Sequence, residues 1–463
     1  MAIGRGKSYE IDMCGGAILP KLVQFAFPLM LSSVLQLLFN AADVVVVGRF
    51  AGDEALAAVG SNGQLINLLI NLFLGFSVGT SILASRFCGA QDQESLHQTV
   101  HTAMLLALIS GIALSLVGFF GSKTILIWMN CPANVLDLAA LYLRIYFLGM
   151  PANMVYNFGA ALLRAAGDTK RPMYYLTLAG VINVLLNLFF VINLHMSVAG
   201  VAIATIISQY ISAVLVVQCM LHNNGSIRLD LRCLRIHSTQ LKQILQLGLP
   251  AGLQGILFSL SNVMIQSSVN SFGDVVMAGN AAAANIEGFV SAGMDAFHQA
   301  TVSFVSQNYG AGRYERIRPI IIRTLGCALT VGLGLSSLVI LFGKQVVGIY
   351  SGNPAVITAG LDRLRIICQF QALAGIMNCM VGALRGLGYV TLPMLVSLFG
   401  ACGLRLLWIA TIFQIPSLHS IQTLYWSYPI SWLITFSVQT CFCIWAMKRL
   451  RNHLETGKPL HTF

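Results

Sequence analysis

The sequence predicts an all-α integral membrane protein with twelve transmembrane helices, organised as two six-helix bundles that are related by a parallel internal repeat. Three observations predict this fold class: a very apolar composition, twelve long apolar runs, and a constant spacing between similar motifs in the two halves. Of the 463 residues, 57% are hydrophobic and 9% are charged. Soluble domains carry roughly 25% charged residues, so this chain has too few polar side chains to cover a surface that faces water.

The apolar runs are long enough to cross a bilayer, since a helix that rises ~1.5 Å per residue needs about 20 residues to span the hydrocarbon core. We predict spans at residues 20–47, 57–85, 99–120, 138–163, 172–194, 197–221, 243–270, 280–307, 320–342, 357–384, 393–415 and 421–447. The first run is too long for the core of a signal peptide, so we expect it to remain in the mature protein.

The spans divide the chain into five predicted regions. These are a cytoplasmic N-terminal segment (1–19), a six-helix bundle (20–221), a basic cytoplasmic linker (222–242), a second six-helix bundle (243–447) and a basic cytoplasmic tail (448–463). Six is an even number, so both bundles enter the membrane from the same side and the repeat is parallel. Secondary transporters use this layout and bind their substrates between the two halves. A duplicated scaffold is the alternative.

Basic residues determine the predicted orientation. With both termini in the cytoplasm, the inner segments contain 20 of the 27 lysines and arginines, as the positive-inside rule requires. The other seven include Arg363 and Arg405. We therefore expect a multi-pass protein of the plasma membrane. No aromatic-interleaved basic patch accompanies the net charge of +11, so the expected partners are the lipid bilayer and a small molecule, and not nucleic acid.

Similar motifs recur at an offset of 221 or 222 residues. The pattern L-R-x-x-G-x-x-x-x-P-M occurs in both halves, and its glycines, Gly167 and Gly388, are expected to end helices. Asn40 pairs with Asn262 at the start of each half. Positions that the two copies share are expected to be structural, whereas positions that differ are candidates for asymmetric chemistry.

Asp43 is the clearest candidate of this second kind. It lies within the first span, and its repeat partner is the hydrocarbon side chain of Ile265. Ionisable residues inside a membrane are rare and indicate function by default. A carboxylate that can be protonated or can bind an ion, sodium included, is what coupling to a gradient requires. The alternative is a structural aspartate that reaches water or pairs with Arg49.

The eighth span carries a second polar stripe, formed by Glu287, Ser291, Asp295 and His298. Their spacing places them on one face of a helix, and the matching second span carries Gln64 and Asn67 on its own face. We expect both stripes to face an aqueous cleft. The alternative is that Asp295 and His298 pair only with each other, three residues apart.

Neutral polar residues form the third group of candidates. Asn183 and Asn187 are four residues apart in the fifth span, where amides more often join helices by hydrogen bonds than bind ligands. Asn378 lies in the tenth span.

The sequence contains no H-E-x-x-H, no phosphate-binding G-x-x-x-x-G-K-[ST] and no G-x-S-x-G motif. We therefore expect a protein that is not an enzyme and has no cofactor, with any energy input coming from a proton or sodium gradient.

Several motifs resemble the multidrug and toxic compound extrusion (MATE) family. They are P-L-M…D-V-V-V-V-G-R-F-A-G-D-E-A-L-A-A-V-G (28–60), L-L-R-A-A-G-D-T-K-R-P-M (162–173), S-V-A-G-V-A-I-A-T-I-I-S-Q (197–209) and A-L-R-G-L-G…P-M in the second half. The resemblance covers about residues 20–447. It implies a V-shaped pair of bundles around a central cleft. It also implies export of organic cations or amphipathic drugs by alternating access, in exchange for protons or sodium. We expect the protein to be a monomer.

The resemblance also implies site residues. Asp43 falls on the family's first-span carboxylate, which is tied to cation binding. Related prokaryotic members have an aspartate where this chain has Asn187, and another branch has acids in spans seven and ten where this chain has Gln254 and Asn378. We expect Glu287 and Asp295 to replace those acids.

Two other functions are possible from the sequence. A lipid-linked saccharide flippase of the same superfamily would carry extra spans or several basic residues in the cleft, whereas the charges inside these spans look mainly acidic and favour cationic substrates. A membrane-embedded enzyme or scaffold would need a catalytic or metal-binding set of residues, which the sequence does not show.

Overall fold

The computed structural model describes residues 9–128, 133–223, 225 and 227–456. Within these ranges, the side chains of residues 53, 56–57, 60–65, 133–134 and 453–456 are not described. The described chain is built from α-helices, and no β-strand occurs in it. Only helices and closed barrels satisfy every backbone polar group inside a bilayer, so this is the outcome that the apolar composition requires.

The helices of the first half are α1 Ile18–Phe50, α2 Asp53–Ala90, α3 Gln93–Trp128, α4 Ala133–Leu148, α5 Met150–Ala165, α6 Lys170–Leu188 and α7 Ser197–Leu221. Those of the second half are α8 Ser238–Asn270, α9 Asp274–Gly310, α10 Ile317–Leu341, α11 Gly343–Gly348, α12 Pro354–Ile366, α13 Gln371–Gly386, α14 Thr391–Ser397, α15 Leu404–Ala410 and α16 Ile421–Thr456. Two π-helical segments, Phe189–Asn193 and Leu398–Gly403, follow α6 and α14.

The predicted membrane spans correspond to these helices. Ten helical stretches of the described chain are long and apolar enough to cross a membrane, and the number is eleven if the pair α4 and α5, which is bent by 47°, is counted as one span. The twelfth predicted span, 280–307, lies within α9, which is long enough but more polar because it carries the stripe that begins at Glu287. The all-α membrane fold is therefore confirmed.

The chain forms two compact units. The first unit contains the described residues up to Asp12 together with Leu31–Leu253, and the second contains Met13–Met30 and the chain from Gln254 onward. These units differ from the predicted regions, because α1 and α8 are each divided between them, a few residues after an internal proline (Pro28 and Pro250). The linker boundaries at 222 and 242 stay a prediction.

The repeated loops have the same backbone geometry in both halves. Gly167 and Gly388 have φ values of 95° and 99°, in the left-handed region that favours glycine. In each copy the glycine N–H and the next N–H return to the end of the helix: Gly167 N donates to Arg164 O at 2.9 Å, and Gly388 N donates to Arg385 O at 2.9 Å. This is the helix-ending motif that the sequence predicts for both glycines.

Glycines also allow helices to pack closely in the first unit. A Cβ atom added at Gly75 of α2 would lie 2.3 Å from the backbone nitrogen of Gly252 in α8, and one added at Gly79 would lie 2.5 Å from Ile244 O. Small residues at such contacts let helix backbones approach each other, which is the usual basis of helix association in membranes. The first residues of α8 are thereby held on α2.

Candidate functional site

A polar cluster in the first unit contains Asp43. The Asn187 side-chain amide, from α6, donates a hydrogen bond to the Asp43 carboxylate. Asn187 Nδ2 is also 3.3 Å from Asn183 Oδ1, and Asn183 Nδ2 is 3.4 Å from Thr205 Oγ1 in α7. Hydrogen bonds thus connect side chains of three helices, α1, α6 and α7, in one cluster. The asparagines do join helices, as the sequence predicts, but one of the groups that they join is Asp43.

The Asp43 cluster contains an oxygen atom that accepts no hydrogen bond from the described residues and could bind a cation. Asn187 is fully buried, and its Oδ1 atom accepts no hydrogen bond from any residue that the structure describes. Among the residues that the structure describes, no basic side chain lies within 4.0 Å of the Asp43 carboxylate. The alternative of an ion pair between Asp43 and Arg49 is therefore not found. The carboxylate is half-buried, and Tyr142 and Tyr146 are within its electrostatic reach.

Glu287 in the second unit is neutralised by a buried arginine. Arg363 of α12 donates to both carboxylate oxygens, with Nε 3.0 Å from Oε1 and Nη2 2.8 Å from Oε2. Its remaining Nη1 lies 2.6 Å from Asn280 Oδ1, which also accepts from the Tyr425 hydroxyl at 3.4 Å. A two-pronged pair of this kind is the strongest geometry between an arginine and a carboxylate. Glu287 is therefore a paired acid and not a free one.

A second buried arginine, Arg405 of α15, lies close to this pair. Its side chain is 4% exposed, and Nε donates to Ser431 Oγ at 2.9 Å. The guanidinium carbon stands 4.1 Å from the ring centre of Tyr428 and 5.6 Å from that of Trp432. Tyr428 also faces Arg363 at 5.6 Å, so its ring contacts both cations. Among the described residues no carboxylate lies within 4.0 Å of Arg405.

These residues line a cavity of about 450 Å³ that lies wholly within the second unit. Ligand sites of drug-sized molecules have volumes of roughly 300–1,000 Å³. The polar and aromatic side chains of its wall are those of Phe258, Asn262, Gln266, Asn280, Glu287, Ser291, Arg363, Gln371, Asn378, Arg405, Tyr428 and Trp432. The prediction that charges inside the spans are mainly acidic is wrong for this cavity, because its two arginines outnumber its one acid.

Asp295 and His298 meet at Asn378, and not at each other. His298 Nδ1 lies 2.6 Å from the backbone oxygen of Asn378, so this ring nitrogen carries the proton. The Asn378 side chain is the hydrogen-bonding neighbour of the Asp295 carboxylate. About two turns further along α13, buried Arg385 donates from Nη2 to Gln254 Oε1 at 2.8 Å. The alternative, in which Asp295 and His298 pair only with each other, is therefore not found, and both residues contact α13 instead.

The remaining predicted residues make fewer contacts. Asn262 is exposed and lines the cavity, while Asn40 and Asn67 are exposed on α1 and α2. The side chain of Gln64 lies outside the described part of the chain. The structure thus groups Asp43 with Asn183 and Asn187, groups Glu287 with Asn262 and Asn378 around the cavity, and leaves Asn40 and Asn67 apart.

Sequence reasoning missed both arginines of the cavity, although a signal for them exists. Arg405 is the only charged residue in the stretch Leu404–Ala410, and its repeat partner at an offset of 221 is Val184. The partner of Arg363 is Tyr142. Both positions satisfy the criterion of asymmetry that selects Asp43, but counting them for the positive-inside rule obscured their burial.

Two units of apolar helices, each enclosing a compact polar cluster, define an integral membrane transport protein. A MatE family model matches this chain twice, at residues 28–189 and 250–410. The chain therefore belongs to the MatE family, and the double match agrees with the internal repeat.

The relatives are consistent with this assignment. Probable multidrug resistance protein YoeA of Bacillus subtilis is 28% identical over 82% of this chain and 84% of its own length. Probable multidrug resistance protein YpnP of the same organism is 28% identical over 85% and 88%. A structure described as the outward-facing conformation of a multidrug resistance MATE family transporter of the MOP superfamily has a TM-score of 0.89 with 22% identity, and covers 98% of this chain and 100% of that one.

Proposed function

We propose that this protein is a secondary active antiporter that exports organic cations or amphipathic drugs in exchange for protons or sodium by alternating access. The observation that carries the proposal is the cluster of Asp43, Asn187, Asn183 and Thr205. A carboxylate in a membrane span is unfavourable unless it is paired, protonated or bound to an ion. One amide donor from Asn187 compensates this charge only in part, so the cluster is suited to a cation that binds and leaves.

Either coupling ion fits the residues of this cluster. A proton would bind the Asp43 carboxylate directly. Sodium would use oxygen ligands, which hard cations prefer, and Asp43, Asn183 and Thr205 supply them together with the unbonded Oδ1 of Asn187. The names of the relatives, which specify multidrug resistance, support drugs as the exported class.

Proteoliposomes that contain the purified protein test the coupling. Dye transport is measured with an imposed pH gradient, with an imposed sodium gradient and with none, for the wild type, Asp43→Asn and Asp137→Asn. Asp137 is a matched control because it is an exposed acid of the same unit, paired with Lys123 at 2.9 Å. We expect Asp43→Asn to abolish gradient-driven transport and Asp137→Asn to preserve it. Equal transport by all three proteins would refute the role of Asp43.

The alternative of a lipid-linked saccharide flippase makes a different prediction. The basic cavity of the second unit is the observation that favours it, since a phosphate-linked lipid carries negative charge. Movement of a labelled lipid-linked sugar across the proteoliposome membrane, without any gradient-driven dye transport, would support the flippase against the antiporter.

A further inference from the structure

The cavity of the second unit carries a net positive charge. Its charged side chains are Glu287, Arg363 and Arg405. Because Glu287 and Arg363 form a complete two-pronged pair, they neutralise each other, and the charge of Arg405 remains. Arg363 is near enough to interact electrostatically with Arg405, and because both side chains are positively charged this interaction is repulsive. A buried cation without a counter-ion is unfavourable, so an anion in the cavity would relieve this charge.

Arg405 has hydrogen-bond donors available for such an anion. An arginine has five N–H donors, and in the described chain only Nε has a hydrogen-bond partner, the Ser431 hydroxyl. The two terminal Nη groups belong to a side chain that lines the cavity and is 4% exposed. Two parallel N–H groups match the geometry of a carboxylate or sulfonate. The Ser431 bond and the Tyr428 ring hold the guanidinium in place, which reduces the entropy lost on binding.

We propose that this cavity is a binding site for an amphipathic organic anion, whose acidic group pairs with Arg405 while its aromatic or apolar body packs against Tyr428 and Trp432. This inference rests on the proposed function, since it extends the transported class from cations to anions. The cavity of the second unit then determines the charge of the compounds that bind, whereas the Asp43 cluster of the first unit binds the coupling ion.

Other features of the cavity restrict the ligand. Its volume of about 450 Å³ accommodates a compact multi-ring compound. Gln371 Nε2 donates to Ser291 Oγ at 2.7 Å, and Gln371 Oε1 accepts no bond from the described residues. Arg405 also lies two residues after the π-helical segment Leu398–Gly403, and such segments are frequent at functional sites.

Two dyes that share a xanthene core and differ in charge test the proposal. Fluorescein is anionic, and rhodamine 123 is cationic. Their binding to the full-length protein in phosphatidylcholine nanodiscs is measured by fluorescence anisotropy, with empty nanodiscs as the baseline. The proteins compared are the wild type, Arg405→Gln, Arg405→Lys and Arg365→Gln. Arg365 is the matched control because it is an exposed arginine of α12.

We expect the wild type to bind fluorescein more tightly than rhodamine 123. Loss of a hydrogen bond to a charged group reduces affinity by about tenfold or more, so Arg405→Gln should weaken fluorescein binding by at least that factor. Arg365→Gln should leave the affinity unchanged. Arg405→Lys keeps the positive charge but loses the two-pronged geometry, so it should retain part of the affinity for fluorescein that Arg405→Gln loses. Unchanged fluorescein affinity in Arg405→Gln would overturn the proposal, as would tighter binding of rhodamine 123 by the wild type.

A purely structural role of Arg405 gives a different result. If Arg405 only joins α15 to α16, Arg405→Gln should lower the melting temperature and weaken both dyes by the same factor, which would also overturn the proposal. Displacement of fluorescein by a polyprenyl phosphate but not by free aromatic carboxylates would show that the bound anion is a lipid. It would refute a water-soluble organic anion as the ligand of the cavity.

The measurement separates this inference from the antiport proposal, because binding in nanodiscs requires no gradient. Fluorescein binding that depends on Arg405, without gradient-driven transport, would refute antiport alone. Gradient-driven transport of cations without any binding of fluorescein would refute the anion site alone.

Discussion

Replacement of Glu287 by glutamine should strongly destabilise the second unit. Both side chains of the Glu287–Arg363 pair are nearly inaccessible, with exposures of 9% and 8%. In Glu287→Gln the new Oε1 can still accept from Arg363 Nε, but the new Nε2 amide faces Nη2, and two donors then oppose each other. The cavity would carry two uncompensated arginines in place of one.

The magnitude follows from the burial of this pair. Removing one partner of a buried ion pair costs about 3–5 kcal/mol, because the other charge stays buried without its counter-ion. Removing both charges costs less than the sum of the two single changes. We therefore expect Glu287→Gln to lower the free energy of unfolding by about 3–5 kcal/mol. The double variant Glu287→Gln/Arg363→Gln should recover a substantial part of that loss.

The measurement is unfolding of the purified protein by sodium dodecyl sulfate in mixed micelles, followed by helical circular dichroism. The exposed pair of Lys123 and Asp137, whose side chains are 49% and 84% exposed, is the internal standard, because exposed ion pairs contribute little to stability. A loss below about 1 kcal/mol in Glu287→Gln would refute the reasoning, because it would show that the Glu287–Arg363 pair is solvated. So would a double variant as unstable as the sum of both single variants.

Three further predictions concern the first unit and the helix contacts. Asn187→Asp places a second carboxylate beside Asp43, so the melting temperature should rise more with sodium chloride than with choline chloride of equal ionic strength; an equal response would contradict a cation site. Gly75→Ala should lower the free energy of unfolding by about 1–3 kcal/mol through overpacking, because its Cβ would meet the Gly252 backbone. Gly334→Ala should not destabilise the protein in the same assay, since nothing lies within 4 Å of its Cβ and alanine favours a helix more than glycine does.

The fold could be predicted from the sequence because the bilayer allows few alternatives. Long apolar runs have to be helices, and the repeated glycines Gly167 and Gly388 mark the same loop twice. The one span that composition describes poorly is α9, where polar residues lower the hydropathy of a helix that is buried within its unit. The offset between the copies still identifies this helix, since Gly310 at its end corresponds to Gly89.

The sites could be predicted only in part. Asp43 was detectable because the corresponding position in the other copy of the repeat is an isoleucine, Ile265. The role of Arg363 as the partner of Glu287 was not detectable, because the two are 76 residues apart in sequence and hydropathy does not show which helices pack together. The burial of Arg405 was missed for a related reason. Counting basic residues assigns each one to a side of the membrane but does not show whether its side chain faces the interior.

The duplication explains why the two units can carry opposite charges. Both halves match the same family model, so they share a framework in which corresponding positions are occupied by different residues. Asp43 corresponds to Ile265, and Arg405 corresponds to Val184, so each unit is apolar where the other is charged. Since no residue belongs to both clusters, a change at Asp43 should alter the response to cations without removing the anion site, and a change at Arg405 should do the reverse. Under the proposed antiport, cation and substrate are therefore coupled through a conformational change that both ligands bias, and not through a residue that binds both of them.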